Sequence, residues 1–139
     1  MPADYRIDLE KRRVWSHATG DLSYEAITDH MSRLAKDPLF DPLFSQILDF
    51  RDVTIVGLTS EEVVRLAEIR VFSPQSKRAF VAPGPLKYGM ARMYEALRAT
   101  KGDDHIRVFT DYDEALEWLD LEEGDGLAPG ERSQATNYP

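Results

Sequence analysis

Two stretches of the chain carry side chains whose types and spacing invite chemistry. The first is Thr59-Ser60-Glu61-Glu62. A hydroxyl followed three residues later by a glutamate makes a capping box, in which Thr59 accepts the N3 amide of a helix and Glu62 reaches back to the N-cap. A phosphate on Thr59 or Ser60 would sit at the positive end of that helix and add about −1.5 to −2 charges. These two hydroxyls are therefore the candidate phosphorylation sites, and a plain N-cap is the competing role. The second stretch is Pro83-Gly84-Pro85, which feeds a helix bearing Lys87, Tyr88 and Arg92. From Lys77 to Lys101 six bases stand against Glu95 alone, a net +5 inside a chain whose formal charge is −8. A glycine turn at a helix N-terminus can hold an anion, and open α/β sheets bind ligands at the carboxyl ends of their strands. Pro83, Gly84, Lys87, Tyr88 and Arg92 are the candidate ligand-binding residues. Against them, one glycine between prolines is far from a phosphate-loop or dinucleotide fingerprint, and Pro85 has no N–H to offer. In that case the bases cover a solvated face.

Other chemistries find little to work with. There is no cysteine, so no disulfide framework, thiolate nucleophile or thiolate-held metal. His17, His30 and His105 share no ligand spacing, and no metal or other cofactor is expected. No serine sits in a Gly-x-Ser-x-Gly elbow. Asp49, Asp52 and Asp111 suggest a phospho-receiver pocket, but Leu9-Glu10 and Thr110-Asp111 do not supply the acidic pair and the lysine it needs. No residue is assigned a catalytic role. The alternative to a binding function is a small enzyme with its site around Tyr88, Arg92 and Thr59.

The elements that must position these residues read as follows. Tyr5 to Leu9 and Val14 to Ala18 alternate as two short strands, and Gly20-Asp-Leu-Ser23 punctuates. Ser23 or Asp21 caps a helix with Ala26, Ile27, Met31 and Leu34 on its apolar face, ended by Asp37-Pro38. Phe44 to Phe50 is a third strand, and Asp52 to Gly57 is an irregular turn or a short extra strand. The capped second helix runs from Thr59 to about Phe72, apolar on more than one face, which suits deep burial or a homodimer interface. Arg78 to Ala82 is a fourth strand. The third helix presents Leu86, Met90, Met93 and Leu97 as an apolar stripe. Ile106 to Phe109 is a fifth strand, and Asp111 caps a last helix that buries Ala115, Leu116, Trp118 and Leu119. The order ββαβαβαβα calls for crossover connections and a mostly parallel five-strand α/β sheet with one antiparallel pair at its start.

Composition agrees with a single ordinary domain: 139 residues, 42% hydrophobic and 30% charged. The negative charge argues against nucleic-acid binding, which needs a positive surface to displace counterions. No apolar run reaches the length of a membrane span, and the N-terminus lacks the apolar core of a secretory signal, so a cytoplasmic location is expected. Half of the net charge lies between Asp120 and Pro139. Residues 1–121 are read as the folded domain and 122–139 as a disordered acidic tail.

The succession of a two-strand opening, Gly20 before a helix, Leu48-Asp49, the capped helix at Thr59, Arg78-Ala-Phe-Val-Ala-Pro83, Tyr88-Gly-Met-Ala-Arg-Met-Tyr-Glu95 and Asp113-Glu-Ala-Leu-Glu-Trp-Leu119 resembles the SpoIIAA-like group of the STAS superfamily. The likeness spans roughly residues 4 to 121. It implies successive β-α turns and a binding or regulatory role, toward a protein partner or a small anionic or amphipathic ligand near the start of helix 3. STAS anti-sigma-factor antagonists are phosphorylated on a serine of an Asp-Ser-Ser-Gly turn at the second helix. Here a hydroxyl is kept at Thr59, while Gly57 and Ser60 stand in place of the aspartate and glycine.

Overall fold

A computed structural model describes residues 2–121; the tail expected at 122–139 lies outside the described residues. The elements are β1 (Ala3–Asp8), β2 (Arg13–Leu22), α1 (Tyr24–Ala35), β3 (Ser45–Val56), α2 (Ser60–Leu66), β4 (Arg78–Val81), α3 (Pro85–Ala99), β5 (Ile106–Phe109) and α4 (Tyr112–Asp120). The strands lie side by side in chain order, β1-β2-β3-β4-β5. β1 and β2 are antiparallel and every other pair is parallel, as the alternation of elements requires. Each crossover advances one strand in the same direction, so the three crossover helices share one face of the sheet. There Ile27 of α1 and Met90, Ala91 and Tyr94 of α3 pack on Leu22, Phe50, Phe80 and Ile106. α4 covers the opposite face, setting Ala115 and Leu119 on Ile47, Ala79 and Val81.

Three boundaries differ from the sequence expectation, each for a physical reason. Gly20 does not end β2. It sits inside the strand at φ 65°, beside two register shifts, as a bulge that lets parallel pairing continue to Leu22. Correspondingly, Asp52 to Val56 is neither a turn nor a separate strand but the far half of β3, paired with Thr19 to Leu22. α2 stops at Leu66 instead of running to Phe72: Glu68 and Ile69 donate to the Arg65 and Leu66 carbonyls, three residues back, which tightens the chain out of the α-helix, and the Ala67 carbonyl accepts from Arg98 Nη1 at 2.8 Å. Phe72 then leaves the helix axis and meets Phe40 edge-on, with ring centroids 5.1 Å apart.

The caps fall where they were expected. Ser23 accepts the Ala26 amide, Thr59 and Glu62 complete their reciprocal box, and Asp111 accepts the Glu114 amide. The apolar stripe of α3 is rotated from expectation. Leu86 is 67% exposed, and the side of the helix that meets the sheet is Met90, Ala91, Tyr94 and Arg98.

Candidate functional site

The sheet face under α1–α3 does not pack solid. Between them lies a chamber of about 90 Å³ walled by Leu22, Ile27, Leu48, Phe50, Phe80 and Met90. Large strand residues and the small Ala91 of α3 line it together. Val63 and Met90 are shared with a wider groove of about 290 Å³ between α2 and α3, whose other walls include Leu58, Thr59, Pro85, Leu86 and Gly89.

Polar groups line the chamber along the edge where the strands begin. His30 is 6% exposed and its Nε2 lies 3.1 Å from Ser16 Oγ, and Ser16 Oγ accepts from Gln46 Nε2 at 3.0 Å. Burial, and then the charge of Arg33, lower the His30 pKa from 6.5 to about 4, so the ring is neutral at physiological pH. Beside Gln46 is Arg78, the first residue of β4, and near it Arg98, in the last turn of α3. Both grip Asp103, which is fully buried in the turn after Gly102. Arg98 donates from Nε to Asp103 Oδ2 at 3.1 Å, and Arg78 donates from Nη2 to Asp103 Oδ1 and from Nε to the Ser76 carbonyl at 3.3 Å. Tyr94, one turn before Arg98, stacks on Phe80, and burial raises its pKa so that the phenol stays protonated.

The residues singled out from sequence are dispersed by the fold. Thr59 and Ser60 do line the groove between α2 and α3, opposite Pro85 and Gly89. Thr59 Oγ1 is committed to the Glu62 amide at 3.1 Å, and Glu61 and Glu62 lie in the first turn of α2. Pro83 and Gly84 form the bend into α3, with Gly84 at φ 96° as its N-cap. Lys87 turns toward the sheet, where its ammonium donates to the carbonyls of Phe50 at 3.2 Å and Val53 at 3.1 Å. Tyr88 and Arg92 pair with each other at 3.1 Å on the outer side of α3, and Arg92 also meets Glu95 at 2.9 Å. The basic segment is therefore not one surface. Arg78 and Arg98 are internal, Lys77 donates to the Trp118 carbonyl, and Lys101 is exposed. Asp49, Asp52 and Asp111 likewise serve separately, holding Arg51, His17 and the start of α4. Among the described residues no group of three or more His, Asp and Glu is placed to hold a metal ion. Among the described residues no helix is long and apolar enough to cross a membrane.

Sequence reasoning missed the internal arginines, which counted only toward a surface patch. The available signal was periodicity: Met90, Tyr94 and Arg98 recur every four residues on α3, and a charge on the apolar side of a helix needs a buried counter-ion.

Strand order, crossovers and the placement of α4 define a SpoIIAA-like α/β fold. The chain is similar in structure to an uncharacterized DUF3478-family protein with a SpoIIAA-like fold from Shewanella loihica PV-4. The two superpose with a TM-score of 0.52 at 18% identity, covering 84% of this chain and 93% of the other. No family model and no curated protein matches the sequence.

Proposed function

We propose that the chain is a non-enzymatic binding or regulatory module that holds a small apolar or amphipathic molecule between its sheet and α1–α3. The observation that carries this reading is the chamber. Protein interiors leave few voids larger than a water molecule, and a void walled mainly by aliphatic and aromatic side chains accepts apolar guests. The groove between α2 and α3 adjoins it through Val63 and Met90 and is the natural way in. The start of α3 forms one wall of that groove, so the ligand approaches near the helix the sequence pointed to, through Pro85, Leu86 and Gly89. An enzyme built on Tyr88, Arg92 and Thr59 draws no comparable support, since Tyr88 and Arg92 lie outside the groove that Thr59 lines.

The test is thermal unfolding and native mass spectrometry across a panel of small apolar and amphipathic molecules. Some member should raise the Tm and be retained as a one-to-one complex, and Ala91→Leu, which fills the chamber, should remove both effects. A Tm unmoved by the whole panel would count against a binding module. Within the same reading, Thr59 and Ser60 on the groove wall are the hydroxyls at which phosphorylation would act. Intact mass after incubation with cell extract should then show an added phosphate, and mapping it elsewhere would remove that role.

A further inference from the structure

The chamber is apolar on its walls and cationic at one end. Arg78 and Arg98 each have side chains about 4% exposed, and both line it. Their shared partner Asp103 carries one negative charge against two positive ones, which leaves the buried cluster at +1. A buried charge without a full counter-charge is among the least favourable arrangements a fold can keep. The two arginines are not equivalent. Arg98 spends Nε and Nη2 on Asp103 and Nη1 on the Ala67 carbonyl, so its guanidinium ties α3 to the segment after α2. Arg78 uses Nε and Nη2, and among the described residues its Nη1 makes no hydrogen bond. It enters the chamber beside Gln46, its partner in the β3–β4 register, with Tyr94 also on the lining.

Resting on the binding-module reading above, we propose that the chamber takes a molecule with a single carboxylate on a short apolar chain. The carboxylate pairs with Arg78 Nη1 next to the Tyr94 phenol, and the chain lies along Leu48, Phe50, Phe80 and Met90. One negative charge neutralises the cluster, whereas a phosphate dianion overshoots it and needs more donors than Arg78 has left. The volume limits the chain. The chamber alone is smaller than the about 150 Å³ that holds benzene, so a chain of about four or five carbons extends past Val63 and Met90 into the adjoining groove.

Isothermal titration and thermal unfolding of the native chain with pentanoate, 1-pentanol and inorganic phosphate at pH 7 separate the possibilities. Pentanoate should raise the Tm and bind at least tenfold tighter than 1-pentanol, and phosphate should have no effect. Arg78→Met, which leaves the neutral Arg98–Asp103 pair, should weaken pentanoate at least tenfold and leave 1-pentanol unchanged. If 1-pentanol binds the native chain as tightly as pentanoate, the charge plays no part and the inference falls while the binding module stands. If phosphate acts as strongly as pentanoate, the effect is a surface anion effect and the inference also falls. If neither pentanoate nor 1-pentanol binds, and butanoate and heptanoate fail too, the chamber is no ligand site of this kind and both readings fall. Should Arg78→Met not fold, the acid and alcohol comparison on the native chain decides alone.

Discussion

The two faces of the sheet are built from the same five strands and solve opposite problems. Under α4, small residues set the spacing: Ala79 on β4 and Ala115 on the helix let Ile47, Val81 and Leu119 close up in one apolar cluster. Under α1–α3, the larger Phe50, Phe80 and Leu48 face the helices, and a chamber with a charged and polar edge is left between. Close packing contributes dispersion and burial at every contact. The chamber side gives some of that up and adds buried ion pairs, which stabilise little over apolar packing and cost much when half removed. One face is closed by packing, and the other gives up contacts around the chamber.

The sharpest way to break that contrast is at Asp103. Asp103→Ala leaves Arg78 and Arg98 buried without a counter-ion, and urea unfolding should show a loss of about 3–5 kcal/mol. A loss below about 1 kcal/mol would mean the arginines reach solvent once released. On the other face, Leu119→Ala should cost about 2–5 kcal/mol by leaving a cavity under α4. That substitution should leave ligand binding untouched, and a changed affinity would show that the two faces are coupled.

The mildest of the three is a pH effect confined to the chamber side. The groups around His30 are Ser16, Gln46 and Tyr5, with Arg33 lowering its pKa and Asp4 and Asp29 raising it. Burial dominates, so the folded chain binds this proton less readily than the unfolded one. Stability from His30 is therefore complete above about pH 6.5 and is lost as pH falls toward about 4, by up to about 3 kcal/mol. Denaturant midpoints at pH 7 and pH 5 should differ in the native chain and converge in His30→Gln, which keeps a polar side chain beside Ser16. A slope that survives the substitution would assign the effect to other groups.

Local signals carried most of the fold. Caps at Ser23, Thr59 and Asp111, the break at Pro38, and short apolar runs at Phe80 and Ile106 are decided by neighbours in sequence, and the structure keeps them. What failed was set by distant partners. Gly20 looks like a terminator until Val53 pairs beside it, and Ala67 to Phe72 looks helical, but the Ala67 carbonyl goes to Arg98. The site suffered most from this. The groove's hydroxyls and the start of α3 could be read from capping and turn chemistry. The chamber could not, because it is a gap between elements, and its charged end joins β4, α3 and the turn before β5 across 25 residues of chain.

The chain-order arrangement of strands has a consequence for synthesis. Each strand finds its partner in the strand made just before it, so loop-closure costs stay modest and the sheet can lengthen as the chain emerges. α4 is the exception. Until its nine residues arrive, Ile47, Ala79 and Val81 face water as a bare apolar stripe across β3 and β4. Stalled or truncated before Tyr112, the nascent chain would carry a nearly finished domain with one sticky side, a natural client for chaperones.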